Sequence, residues 1–259
     1  MNDNVSPKQA LGQHFLVDPN ILRVIGRLAR LEKMDVVLEI GPGLGVLTTF
    51  LADRVRHVHA VEVDESLEPA LRAALGERAN VDLVFGDATK ADASKFRPVT
   101  TKLVANLPYN LAATVVVDSL ETLPSIQLWC VMVQKEVGER FFAEPGTKAY
   151  GAVSVLVQLA AIRTGTHAVS RTVFRPRPRV DSMLVAFTRA PRLPHYDRVK
   201  EVVQAAFAHR RKMLPNSLAL SGVADRDEAA AALVALGHEP RARAENLGPQ
   251  EFARLADLL

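Results

Sequence analysis

Short, nearly continuous apolar runs alternate with amphipathic stretches along the first half of the chain. VVLEI at 36–40, HVHAVEV at 57–63, VDLVFGD at 81–87, KLVAN at 102–106 and IQLWCVMV at 126–133 have the β-branched content of strands buried on both faces. Between them, segments 45–55, 66–76, 111–122 and 134–143 set their apolar residues at helical spacing. Strand and helix alternate every 20–25 residues, which predicts an α/β fold with a doubly wound, mostly parallel sheet. Residues 149–162 suit either a helix or a buried strand, because a short apolar run has no decisive period. Around 167–188 two further strands flank Phe174-Arg175-Pro176-Arg177-Pro178-Arg179, held extended by its prolines. After Ala190-Pro191-Arg192-Leu193-Pro194 the β-branched runs stop and Ala/Leu-rich helical segments follow at 196–209, 211–220, 226–236 and 249–258. The expected division is therefore a larger domain at 1–192 and a small helical domain at 193–259.

Composition narrows the class. Hydrophobic residues make up 48% and charged residues 24% of the 259, globular proportions that exclude a disordered or collagen-like chain. The longest uncharged stretches, Leu103 to Val117 and Ala149 to Ile162, are 15 and 14 residues, short of the 18 or so that a membrane span needs. The start lacks a basic segment followed by an apolar run, and Cys130 is the one cysteine, so a soluble cytosolic protein without disulfides is expected. The net charge of +3 is unevenly spread: residues 163–192 hold seven arginines (163, 171, 175, 177, 179, 189 and 192) against the single acid Asp181. Such a run is a candidate polyanion surface or a solvated arginine-rich face. The seven histidines are scattered with no zinc-like spacing, so no metal is expected.

Candidate chemistry sits where strands end. The first strand runs into Glu39-Ile40-Gly41-Pro42-Gly43-Leu44-Gly45, a glycine-rich turn that lets a ligand approach the backbone. The third glycine comes one residue early for a dinucleotide fingerprint, which disfavours a nicotinamide oxidoreductase and suits a phosphate-free nucleoside. Glu62, at the end of the second strand, can accept from both ribose hydroxyls, and Asp87, after the third, can face an adenine amino group. E-x-G-x-G-x-G with these acids resembles the class I S-adenosylmethionine-dependent methyltransferases.

The fourth strand ends in Asn106-Leu107-Pro108-Tyr109, which resembles the N/D-P-P-Y/F motif of amino-group methyltransferases. The exocyclic amine of adenine is a weak nucleophile because its lone pair is delocalised into the ring. Two acceptors facing its hydrogens, the Asn106 side-chain oxygen and the Leu107 carbonyl made rigid by Pro108, would localise and aim that pair, while Tyr109 stacks on the base. Positioning for in-line transfer supplies most of the rate, so no general base is required. A base in a paired stem is out of reach of such a pocket, so the target lies in a loop or is flipped out. Phe174 is a candidate second aromatic for the base, with Arg175, Arg177 and Arg179 on its phosphates; a core phenylalanine is the other reading.

Five blocks together, Leu11-Gly12-Gln13-His14-Phe15-Leu16, E-I-G-P-G-L-G, N-L-P-Y-N, V-F-R-P-R-P-R-V-D-S and residues 207–218, resemble the small-subunit ribosomal RNA adenine N6-dimethyltransferases over the whole chain. The resemblance implies dimethylation of two adjacent adenines in the 3′-terminal hairpin loop of small-subunit RNA, late in assembly of a 30S particle, by a cytoplasmic monomer. It puts cofactor contacts on His14, Leu16, Gly41, Gly43, Glu62, Asp87 and Asn106, and target-base contacts on Asn106, Leu107, Pro108, Tyr109 and Phe174. His14 stands where relatives often have Asn, which a backbone contact tolerates and a side-chain contact does not. Arg210, Arg211 and Lys212 fit the small-subunit branch as RNA contacts, or a solvated helix end. The alternatives are a resistance-type methyltransferase of large-subunit RNA, which shares the N-terminal, glycine and N-L-P-Y blocks, and an assembly factor acting mainly by binding.

Overall fold

The computed structural model describes residues 14–88 and 96–259. Part of the Leu11–Leu16 block therefore lies outside the described residues. The chain forms two compact units, residues 1–138 with 162–189, and residues 139–161 with 190–259. The second unit takes in 139–161 as well as the C-terminal stretch, where the sequence suggests one cut near Arg192.

The first unit holds β1 (Phe15–Leu16), α1 (Pro19–Leu28), β2 (Val36–Ile40), α2 (Val46–Ala52), β3 (His57–Glu62), α3 (Glu68–Leu75), β4 (Val81–Phe85), β5 (Lys102–Asn106), α4 (Ala112–Thr122) and β6 (Leu128–Gln134). After α5 (Lys135–Phe141) and α6 (Ala152–Ala160) the chain returns as β7 (Ala161–Val169), β8 (Phe174–Arg175) and β9 (Ser182–Arg189). The open choice at 149–162 resolves as a helix that runs straight into a strand. Seven strands line up as β4-β3-β2-β5-β6-β9-β7; β4 through β6 are parallel and β9 runs antiparallel to β6. Every residue of β2 is buried, as expected of a strand covered on both faces. Strand order reverses between β2 and β5, and the crevice beyond their carboxyl ends is the standard ligand position of an open α/β sheet.

The core joins α1, α2 and the sheet through Ile25, Leu51, Val58, Val104 and Cys130. Burial pushes the Cys130 thiol up to about 12, so it is an inert apolar side chain. Arg189 is not part of a phosphate-facing surface: its guanidinium donates to the carbonyls of Leu120, Leu123 and Ile126, closing the end of α4. The β3–β4 register also corrects the expectation of no ligand cluster, because it brings His57, His59 and Asp82 together. Spacing along one segment does not register clusters made across strands.

In the second unit α6 is joined by α7 (Tyr196–Ala208), α8 (Leu214–Leu220), α9 (Arg226–Ala235) and α10 (Pro249–Leu258). Its centre is aromatic. Tyr150 meets Phe207 edge-on at 6.1 Å, Phe207 lies 5.7 Å from Phe252, and the Tyr150 hydroxyl donates to the Leu247 carbonyl at 2.7 Å.

Candidate active site

A cleft of about 720 Å³, open to solvent, lies at the reversal of strand order. Its lining includes His14, Leu16, Glu39, Gly41, Gly43, Glu62 and Asn106 to Tyr109, so segments far apart in sequence converge on one wall.

The glycine turn has the shape its sequence demands. Gly41, Gly43 and Gly45 have φ of 71°, 60° and 77°, a region that L side chains rarely adopt. At Gly43 space is short as well, since an added Cβ would stand 2.9 Å from Phe15 Cδ1. At Gly41 it would stand 3.7 Å from Pro108 Cδ, so the glycine turn and the N-L-P-Y loop are in direct reach of each other.

Glu62 is buried, and its two carboxylate oxygens accept from the Gly43 N–H at 3.1 Å and the Asp64 N–H at 3.0 Å. Each oxygen keeps a lone pair for a ligand hydroxyl. Glu39, part of the turn motif but absent from the sequence-based site, also lines the cleft. It is 1% exposed and its Oε2 has no partner among the described residues. Burial raises its pKa to about 8; the nearby Thr48 hydroxyl opposes the rise and Glu62 adds to it. The signal available in sequence was a carboxylate in the middle of an otherwise apolar strand.

Asn106 lines the cleft and donates through Nδ2 to the His14 carbonyl at 3.1 Å, while its Oδ1 accepts nothing from the described residues. The Leu107 N–H is bonded to the Met132 carbonyl at 3.0 Å, while its own carbonyl accepts nothing from the described residues. Tyr109 is fixed twice. Its hydroxyl pairs with the buried Ser182 Oγ at 2.8 Å, and its ring lies 5.3 Å from the His14 ring. Desolvation raises its pKa, keeping the phenol neutral. The His14 ring is held by Nδ1 donating to the Pro176 carbonyl at 2.8 Å, so His14 offers the cleft both a backbone carbonyl and a ring.

One expectation needs correction. Phe174 does not face the cleft: it is fully buried in the core, pairing with Leu16 across β1 and β8. A strand-borne aromatic next to buried Val169 and Leu16 packs inward. Asp87 follows Gly86 at the carboxyl end of β4, one residue before Ala88, the last described residue of that stretch. Arg210 is exposed and donates through one guanidinium nitrogen to the carbonyls of Lys148 and Tyr150 at 2.8 and 3.1 Å. Arg211 and Lys212 beside it are exposed, as are Arg175, Arg177 and Arg179 in the first unit.

The family model described as ribosomal RNA adenine dimethylase matches residues 4–259. A protein of Rubrobacter xylanophilus named "Ribosomal RNA small subunit methyltransferase A" is 49% identical over 96% of this chain and 94% of its own length. One of the same name from Thermobifida fusca is 45% identical over 98% of this chain and 90% of its own. Among solved structures, a dimethyladenosine transferase from Plasmodium falciparum superposes with a TM-score of 0.77 at 24% identity, over 93% of this chain and 96% of that one. The 23S rRNA methyltransferase ErmE superposes at 0.69 and 28%, over 95% of this chain and 99% of that one.

Proposed function

The chain belongs to the ribosomal RNA adenine dimethylase family, and from that premise we propose that it transfers methyl groups from S-adenosylmethionine to N6 of adenine in small-subunit ribosomal RNA. The target in this proposal is the pair of adjacent adenines in the 3′-terminal hairpin loop, each dimethylated on an assembling 30S particle in the cytoplasm. The observation that carries it is the meeting, in one cleft, of the Glu62 carboxylate, which accepts from the glycine turn, with Asn106 Oδ1 and the Leu107 carbonyl at the end of β5.

The donor set fits the cofactor. Glu62 has lone pairs left for a ribose diol, and the orphaned Oε2 of Glu39 is an acceptor in want of a donor, which an amino-acid ammonium provides. When bound, S-adenosylmethionine supplies a methyl group activated by its sulfonium. The protein's part is positional. Asn106 Oδ1 and the Leu107 carbonyl accept the two amine hydrogens and turn the nitrogen lone pair out of the ring system. Tyr109, pinned by Ser182 and His14, fixes the plane of the base. Holding donor and acceptor in line replaces a bimolecular encounter with a preorganised one, and the amine proton leaves to water afterwards.

The exposed Arg175, Arg177 and Arg179 on the first unit, and Arg211 and Lys212 on the second, are proposed phosphate contacts. A resistance-type activity on large-subunit RNA is the competing reading, favoured by the likeness to ErmE; the greater identity to proteins named for the small subunit favours the first. Thermal unfolding tests the cofactor half: the transition should rise with S-adenosylmethionine or its demethylated product and stay put with NAD. A rise with NAD alone would overturn it.

A further inference from the structure

We propose that His57, His59 and Asp82 form a binding site for a divalent transition-metal ion of the zinc class, at the opposite end of β3 from the cleft carboxylate Glu62. Strand geometry builds it. Two residues apart on one strand, His57 and His59 project from the same face of the sheet, and the parallel β3–β4 register sets Asp82 directly beside His59. Asp82 Oδ2 lies 2.9 Å from His57 Nε2 and 3.1 Å from His59 Nδ1, and one ligand atom from each residue falls within 4.8 Å of the others. Tetrahedral zinc with bonds of about 2.0–2.2 Å spaces its donors by roughly 3.3 Å, so little movement is needed to seat an ion.

The proton inventory at His59 points independently to a cation. The ring is 1% exposed, and its Nε2 lies 2.8 Å from the Pro98 carbonyl. A carbonyl only accepts, so Nε2 carries the hydrogen and in the neutral ring Nδ1 is a bare lone pair. That Nδ1 has no hydrogen-bond partner among the described residues, and Asp82 Oδ2 stands 3.1 Å from it. Two lone pairs facing each other repel, and a metal ion between them satisfies both.

The surroundings suit the ion too. Metal-bound histidines commonly donate their second ring N–H to a backbone carbonyl, as His59 does to Pro98. Phe96 stacks on the His59 ring at 4.9 Å and 20° and walls one side. Asp82 is half exposed, which leaves a coordination position open to water. Bound there, an ion would tie the edge strand β4 and the segment at Pro98 to β3.

The test titrates chelator-treated, full-length protein with zinc against a chromophoric competitor, then repeats it with cobalt and reads visible absorption. One tightly bound equivalent per chain, a rising thermal midpoint and the cobalt bands of a low-coordinate nitrogen–oxygen site are expected. His57→Gln and Asp82→Asn change partly solvent-facing side chains, so both variants should fold. Each should weaken binding by about tenfold or more, the scale seen even for outer-shell changes. His238→Gln, which alters the separate His238–Glu251 pair, should leave binding unchanged. No binding above the buffer control overturns the proposal, as does wild-type affinity in both the His57 and Asp82 variants.

Discussion

Replacing Glu39 by Gln should make the protein's stability much less dependent on pH. The carboxyl is buried, one oxygen is orphaned, and its pKa is raised to about 8 from 4.5. Unfolded, it releases its proton near 4.5; folded, it keeps it to about 8. Between these values the native state binds the extra proton, so raising the pH favours unfolding. This stabilisation is complete below 4.5, falls by about 1.4 kcal/mol per pH unit through the window, and has lost about 5 kcal/mol by pH 8. Gln has nearly the same shape and carries no titrating proton. Trp129 is the one tryptophan, buried in the same unit as Glu39, so its fluorescence during urea unfolding reports on the relevant transition. Between pH 5 and 7.5 the wild type should lose about 3 kcal/mol more than Glu39→Gln. Parallel stability curves would refute the reasoning and mean that Glu39 is ionised in the native state at pH 5.

Asn106→Ala should slow single-turnover methylation by about 100- to 1,000-fold, the cost of one preorganised polar contact in a transition state, with RNA affinity nearly unchanged. Monomethylated adenine offers one hydrogen rather than two, so the two methyl transfers should be slowed to different extents. Phe174→Ala should cost about 3–5 kcal/mol of stability as a core truncation, whereas Phe174→Leu should keep most of the methylation rate. A folded Phe174→Leu enzyme that has lost activity would return this ring to the base. Arg211→Ala with Lys212→Ala should lower the slope of log affinity against log salt by about 1.4 if each meets a phosphate of single-stranded RNA, while Arg210→Ala should act mainly on stability, by about 1 kcal/mol.

The strand ends were legible in the sequence because buried parallel strands are short, apolar and abruptly finished. The glycine turn, Glu62 and Asn106 were therefore found at their places in the cleft. Glu39 was passed over although its position in VVLEI announces a buried acid. What the pattern missed depends on tertiary pairing. Phe174 faces inward because β8 pairs with β1, a contact between segments some 160 residues apart that no local period encodes. Arg189 read as a free charge, yet it donates to three carbonyls at the end of α4, and composition cannot separate such an arginine from one facing solvent. His57 and His59 stand two apart in one strand and were read as scattered, and Asp82 joins them only through strand register. Residues 139–161 sit with the C-terminal helices because packing, not chain order, defines a unit.

The most direct test of the cleft's assignment is the identity of the nucleoside it makes. The protein is incubated with labelled S-adenosylmethionine and, in parallel, with immature small-subunit particles, naked small-subunit RNA and large-subunit RNA, and the RNA is then digested and its nucleosides resolved. Label is expected in N6,N6-dimethyladenine at two adjacent positions of the small-subunit terminal hairpin, and none when Asn106→Ala replaces the wild type over the same interval. Label confined to large-subunit RNA, on another base, or undiminished by Asn106→Ala would contradict that assignment.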